Sequence, residues 1–388
     1  MKRNSILAFI FSLLIMSSCS RNSETSNKET FSTAKGKMGI ENEIKLDCNR
    51  IASNISDEDM TLIYDRLDSF DKSIYDIICE VLAHSEDTNN VVYVAVPKEH
   101  IQDFKDDYLQ CCYAVLEDNP EYDLLSAANI KPEWEFVSDI PENGIYHIKL
   151  YSSASYPNYT QEMIELNEAC DKFIADIDTT GNQYDTALKI HDKLIKEVSI
   201  APDDSNSYYS KTMYGALING SSNCAGYANA YCFLLRKCGI DCLRVSGYLK
   251  DDSPESGTHS SEHTWNIAKL DGRWSETDVI FDDIEIAYYV RKSELSEPSL
   301  RELENKTDYI DAIRHVYWDM TTAEMTEKIY GDEFDFVSST GEKYSFSNRY
   351  TAIRHIRDKD AEENLEKYVA YMTISKLLPE ANIKKQSS

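Results

Sequence analysis

Two runs of alternating polar and apolar residues flank the dipeptide Asp271-Gly272. The runs cover residues 263–270 and 273–280. An Asp-Gly step between two such runs predicts an antiparallel hairpin closed by a two-residue turn. In that turn the last residue of the first run faces the first residue of the second. The register of both strands is therefore fixed.

This register predicts which side chains share a face of the hairpin. It places His263 opposite Ile280 and Asp278 opposite Trp265. His263 and Asp278 are then diagonal neighbours on one face, with backbones ~7–8 Å apart. A carboxylate in that place can orient an imidazole and fix its tautomer. An exposed polar pair is the alternative interpretation, because the parity of the spacing alone favours a shared face half the time.

A cysteine opens a predicted helix upstream of the hairpin. Cys224 follows the loop Gly220-Ser-Ser-Asn, and small or apolar residues then recur at helical spacing up to Gly239, a typical helix C-terminal residue. The N-terminus of a helix stabilises a thiolate, and its N–H groups can bind an oxyanion. The alternative is an ordinary buried cysteine at a helix start.

Together these segments resemble the bacterial transglutaminase-like family over roughly a third of the chain. The resemblance implies an α+β, papain-like core in which a nucleophile helix packs on an antiparallel sheet. It also implies that Cys224 is the nucleophile, His263 the base and Asp278 the orienting residue. The matching segments are Cys224-Ala-Gly-Tyr-Ala, Gly239-Ile, Val245-Ser-Gly, His263-Thr-Trp-Asn, Asp271-Gly-Arg-Trp and Asp278 with Asp282-Asp283.

The sequence departs from the family pattern around the site. Asn223 replaces an apolar residue, Ser275-Glu276-Thr277 replaces a more aromatic run, and Ile280-Phe281 stands where Thr-Trp is common. These changes leave substrate preference open. His259 lies four residues before His263, but such a pair binds metal when both lie on a helix, and His263 is on a predicted strand. We therefore expect no metal and no cofactor.

The N-terminus predicts export. A short positive start, Met1-Lys-Arg-Asn, precedes an apolar run at 6–16 that is too short to span a membrane, and Ser17-Ser18 comes directly before Cys19. This pattern resembles a lipoprotein signal, which implies lipidation of Cys19 and an extracytoplasmic protein anchored to the cell membrane. An uncleaved N-terminal anchor would also place the rest outside the cytoplasm.

Composition and periodicity divide the rest of the chain. We predict a flexible tether, an N-terminal α+β module, a transglutaminase-like domain and a C-terminal extension that contains a hairpin near 334–346 and a helix over 361–378. Their bounds, after the signal at 1–19, are 20–45, 46–155, 160–292 and 293–388.

Charge and cysteine content exclude several functions. The net charge is −28 and no basic cluster occurs, so nucleic acid is not an expected partner. No C-x-x-C pair is present, which argues against zinc-ribbon and thioredoxin-like sites. The sequence thus predicts acyl transfer on a peptide or protein amide bond, for example in a cell-wall peptide or surface protein, by a protease, an amidase or a transglutaminase. The alternatives are a non-catalytic peptide- or glycan-binding module on the same fold and, with less support, a redox role.

Overall fold

The computed structural model describes most of the chain between residues 43 and 384. The described ranges are 43–87, 91–201, 207–251, 260–283, 315, 317–327, 334–337, 343–346, 350–354, 370 and 373–384. In these ranges the protein consists of helices packed on two four-stranded sheets, with two smaller two-stranded pairings.

The helices carry apolar residues at helical spacing, which places one face of each in a core. Nine α-helices are named among the described residues: α1 (Ser69–Ala83), α2 (Ile101–Asp118), α3 (Asp123–Ala127), α4 (Tyr159–Ala175), α5 (Gln183–Glu197), α6 (Met213–Leu217), α7 (Cys224–Lys237), α8 (Val279–Asp282) and α9 (Thr322–Glu327).

The first sheet belongs to the N-terminal region and has the strand order β1-β2-β4-β3. Its first pairing is parallel and the other two are antiparallel. Helices α1 and α2 bury their apolar faces here, for example with Ile74, Ile78 and Phe104. The strands are β1 (Glu43–Lys45), β2 (Val91–Pro97), β3 (Pro132–Phe136) and β4 (Ile145–Ser152).

The second sheet positions the candidate site. Its order is β12-β7-β8-β9, and all three pairings are antiparallel. The short pairs are β5 with β6, which is parallel, and β10 with β11, which is antiparallel. The remaining strands are β5 (Ser199–Ile200), β6 (Ser221–Ser222), β7 (Cys242–Asp251), β8 (Ser260–Leu270), β9 (Arg273–Thr277), β10 (Phe334–Val337), β11 (Lys343–Phe346) and β12 (Tyr350–Arg354).

The predicted Asp271-Gly272 hairpin is present with the predicted register. Leu270 pairs with Arg273, and the ladder continues as far as Asn266 opposite Thr277. Both turn residues have positive φ, 51° and 85°, as a type I′ turn requires. The prediction that the second strand reaches residue 280 was wrong. β9 ends at Thr277, and Asp278 instead caps helix α8.

The structure bears on the predicted tether and on the predicted C-terminal extension. Residues 43–45, which we assigned to the tether, form β1, a parallel neighbour of β2. The C-terminal hairpin is confirmed as β10 and β11. The C-terminal extension also supplies β12 to the second sheet, so it is part of that sheet and not only an appendage. The signal, Cys19 and most of the predicted helix over 361–378 lie outside the described residues.

Polar contacts join the N-terminal region to the second sheet and to helix α6. The Glu117 carboxylate accepts hydrogen bonds from Arg244 Nε at 2.6 Å and from Ser246 Oγ at 2.5 Å, both on β7. Asp123 accepts from the backbone N–H of Met213 at 2.6 Å. The two regions are therefore packed as one body rather than separated by a linker.

All nine cysteines in the described ranges are free thiols. Within those same ranges, no helix combines the length and apolar character needed to cross a bilayer.

Candidate active site

Cys224 is the first residue of helix α7. Asn223 is its N-cap, and the Asn223 side chain accepts a hydrogen bond from the Ala225 backbone N–H at 3.0 Å. The backbone N–H of Asn223 is itself held by Ser210 O at 2.7 Å. Asn223, which departs from the family pattern, therefore acts as a capping residue that fixes the start of the helix. An Asx residue directly before a helical repeat was the sequence signal for this role.

Gly226 allows the loop before Cys224 to pack tightly against the helix. A Cβ at this position would lie 1.8 Å from Ser222 Oγ and 2.4 Å from Thr212 O. Ser222 is fully buried and donates to Ser210 O at 2.8 Å, so it has no room to move away. A side chain at position 226 must therefore displace the loop that sets the position of Cys224.

We expect Gly226→Ala to destabilise the protein by about 1–3 kcal/mol or more, because the methyl group overpacks a buried contact. Urea unfolding and the alkylation rate of Cys224 would measure the effect. Gly181→Ala is the matched control, since its nearest atom would be Asp185 Cβ at 3.8 Å. Equal stability of the two variants would show that the contact at Gly226 is not tight.

The structure brings His263 and Asp278 into direct contact. His263 lies on β8, and its Nε2 is 2.5 Å from Asp278 Oδ2. His263 is 4% exposed and Asp278 is 0% exposed. Asp278 is fixed from two sides, since its backbone N–H donates to Tyr317 O at 3.1 Å and its Oδ1 accepts from Phe281 N at 3.3 Å. The contact follows from the hairpin register, although Asp278 reaches it from a helix cap and not from a strand.

Neighbouring side chains hold the imidazole and the nucleophile helix in place. The Phe281 ring stacks on His263 with centroids 4.6 Å apart and planes at 18°. The Trp265 ring is also nearly parallel to His263, with centroids 6.1 Å apart. Asn266, also on β8, donates to Ala228 O of α7 at 2.9 Å. No sequence pattern marked Phe281 as a positioning residue or Asn266 as the link between strand and helix.

The electrostatics favour an ionised thiol. Burial alone would raise the pKa of Cys224, but its hydrogen bond with His263, the charge of that imidazole and the Thr264 backbone N–H lower it below its ordinary value. For His263, burial alone would lower the pKa, yet the Asp278 carboxylate and Cys224 raise it to about 10. The two shifts favour a thiolate–imidazolium pair over the neutral pair.

The other cysteines lack this combination of charge and access. Burial raises the pKa of Cys238 and of Cys48, both of which are partly exposed. Burial also acts to raise the pKa of Cys232, but a hydrogen bond with Cys242 and the charge of Arg236 lower it. Cys232 is 0% exposed. Among the described cysteines, Cys224 alone combines a lowered pKa with partial exposure.

The unusual run before Asp278 has a structural explanation. Ser275 Oγ donates to Asp319 Oδ1 at 2.8 Å. The Glu276 carboxylate accepts from Trp265 Nε1 and from Thr322 Oγ1, each at 2.6 Å. These polar residues bind the segment 319–322, which covers β9. The departures from the family pattern at Ser275 and Glu276 are therefore explained by these structural contacts and are no argument against a catalytic site. His259, the other histidine of the pair considered for metal binding, lies outside the described residues.

A partly exposed thiol at a helix N-terminus, facing a buried His–Asp pair beside an antiparallel sheet, defines the papain-like class of cysteine enzymes. The family model of the transglutaminase-like superfamily matches residues 171–279. The matched segment contains Cys224, His263 and Asp278, and its helix packed on an antiparallel sheet agrees with the α+β papain-like core that the sequence predicted.

Individual known proteins are similar over smaller parts or at low identity. Kyphoscoliosis peptidase of Homo sapiens and that of Mus musculus are each 37% identical over 60 residues, which is 15% of this chain and 9% of either relative. The chain thus spans under a tenth of these relatives. A crystal structure of a TGase is 14% identical, with 54% of this chain and 56% of that chain covered and a TM-score of 0.26. A candidate cysteine protease of Cytophaga hutchinsonii is 16% identical, with 38% and 61% covered and a TM-score of 0.23.

Proposed function

We propose that this protein is a surface-anchored cysteine enzyme that transfers the acyl group of a peptide or protein amide through Cys224, His263 and Asp278. The observation that carries the proposal is the arrangement of the three side chains. His263 uses Nε2 for Asp278 at 2.5 Å and hydrogen-bonds Cys224, whose pKa is lowered although burial opposes this. A nucleophile, a base and an orienting carboxylate in contact are the requirement for this chemistry.

The first half of the reaction forms a thioester. The Cys224 thiolate attacks the amide carbonyl carbon, and the developing oxyanion lies at the N-terminus of α7, where first-turn N–H groups have no intrahelical acceptor. Ala225 N–H is bound by the Asn223 cap, and the proposed donor is the backbone N–H of Cys224 itself, because it is the first-turn N–H on the residue that attacks. The C–N bond then breaks, and the imidazolium of His263 gives its proton to the departing amine.

The second half resolves the thioester. Neutral His263 takes a proton from water or from an amine, which attacks the thioester carbonyl and releases the Cys224 thiolate. Water gives a protease or amidase, and an amine gives a transglutaminase. Asp278 stabilises the imidazolium in both halves. The similarity to proteins named as peptidases supports hydrolysis, but over 60 residues only.

The test of this proposal is capture of the acyl-enzyme. The purified protein is incubated with a library of acyl-glutaminyl and peptide substrates, with and without a fluorescent primary amine, and intact mass and peptide mapping follow. We expect an acyl adduct on Cys224. The ratio of hydrolysed product to amine-linked product would show whether water or the amine is the acceptor. Specific, saturable peptide or glycan binding with no adduct on Cys224 would instead favour the non-catalytic module.

The anchoring part of the proposal rests on the N-terminal pattern. In bacteria grown with an alkyne fatty acid, we expect the full-length chain to incorporate the label into the membrane fraction and Cys19→Ser to lose it, because Cys19 carries the thiol that is acylated in such signals. Cys48→Ser is the control, since it removes a thiol beyond the predicted signal. Equal labelling of the Cys19→Ser variant would contradict lipidation there.

A further inference from the structure

A second group of chemically active side chains lies apart from the candidate site. His191 and Asp192, on α5, meet His315 from the C-terminal extension. Asp192 Oδ1 is 3.0 Å from His191 Nδ1 and 2.8 Å from His315 Nε2. One donor atom from each of the three residues lies within 4.8 Å of the other two. Two imidazole nitrogens and one carboxylate oxygen are a donor set used for Zn²⁺ and related divalent metals.

The far side of His191 is prepared for this role. Its other ring nitrogen, Nε2, is 3.1 Å from Asp282 Oδ2, and both side chains are 0% exposed. With an ion bound, a carboxylate on Nε2 would keep the proton on that nitrogen and leave the Nδ1 lone pair for the ion. Metal-binding histidines almost always have such a partner on the nitrogen that does not bind metal.

The site is closed on one side and open on the other. The His191 ring packs against Trp318, with centroids 5.1 Å apart, and against Tyr231 at 6.5 Å. Asp192 and His315 have side chains that are 49% and 28% exposed. An ion can therefore enter from solvent while the buried ligand stays fixed. With three protein ligands, a water molecule would complete a tetrahedral site.

We propose that His191, Asp192 and His315 form a binding site for a divalent transition metal, Zn²⁺ being the ion that best fits the donors. The ion would join α5 to His315, which precedes the segment 317–320. Asp282 connects the proposed metal site to the candidate active site. One of its carboxylate oxygens contacts His191, and the other accepts a hydrogen bond from Tyr317 N at 2.8 Å. Asp282 also lies in α8, the helix that Asp278 caps. The site goes beyond the proposed acyl transfer and does not depend on it.

The test is a metal titration in which thiols are separated from the proposed site. The Cys224→Ala protein is stripped with EDTA and titrated with Co²⁺ for its absorption spectrum and with Zn²⁺ in a calorimeter. We expect one equivalent to bind, with a Co²⁺ spectrum that lacks thiolate charge-transfer bands. Binding in this background keeps the result separate from any failure of catalysis.

Two variants and one control locate the ion. His315→Ala and Asp192→Asn should each weaken Zn²⁺ binding by roughly tenfold or more, as even outer-shell losses do in metal sites. Both side chains are partly exposed, so the fold should tolerate the changes. His84→Ala is the control, because His84 is 60% exposed and faces only Glu80, at 3.7 Å, among the ion pairs described for it. No binding, thiolate bands, or unchanged affinity in both variants would overturn the proposal.

Discussion

Replacing Cys224 with alanine is expected to lower the rate of amide turnover about 10⁴-fold or more. The residues of the proposed triad act as a unit, and no other residue can replace the nucleophile. The acyl adduct should disappear with it. Since Cys224 is partly exposed and lies at the start of α7, its sulfur can be removed with little change to the core. The measurement is substrate turnover together with intact mass.

Cys238→Ala is the control for this variant. Cys238 is also partly exposed and follows the end of the same helix, but its pKa is raised by burial, whereas His263 lowers the pKa of Cys224. It should retain full turnover and the adduct. Turnover that persists in Cys224→Ala would show that another residue is the nucleophile.

Asp278→Asn is expected to lower turnover by about 10²–10⁴-fold while the fold is kept, as the loss of the orienting carboxylate does in related triads. The amide can still accept from Phe281 N–H and so preserve the cap of α8. It no longer supplies the negative charge that raises the pKa of His263 to about 10. The imidazolium is then less favoured, and so is the Cys224 thiolate that depends on it.

The pH profile of Cys224 labelling distinguishes the loss of an orienting carboxylate from a purely structural effect of Asp278→Asn. We expect the reactive form of Cys224 to require a higher pH, while thermal unfolding changes little. Asp178→Asn, at a carboxylate that is 68% exposed, serves as the control for a lost negative charge. An unchanged pH profile with lowered stability would mean that Asp278 serves only the fold.

The local parts of the fold and site were predictable from the sequence. The turn at Asp271-Gly272 sets the register of β8 and β9 through backbone geometry, and that register decides that His263 and Asp278 meet. Helix α7 could be placed because its apolar spacing and Gly239 mark its length. The roles of Cys224, His263 and Asp278 in catalysis stay predictions until turnover is measured.

Contacts between distant segments were not predictable. β9 stops at Thr277 because the Asp278 N–H is bound by Tyr317 O, an acceptor nearly 40 positions away along the printed sequence. β12 joins the edge of β7 across about 100 residues, and β1 pairs with β2 from a segment of polar composition. Strand pairing of this kind depends on which edges are free in the folded chain, and single-segment patterns do not record it.

The pH dependence of Cys224 alkylation tests the central claim most directly. Iodoacetamide labelling of the purified protein is followed site by site, with Cys238 as an internal reference and His263→Ala as the variant. We expect fast labelling of Cys224 well below about pH 8, since its pKa is lowered. In His263→Ala we expect labelling to shift to higher pH, because the imidazole no longer opposes the effect of burial on the thiol pKa. Labelling of Cys224 at the rate of Cys238, with no effect of His263→Ala, would contradict an activated thiol and the proposed acyl transfer with it.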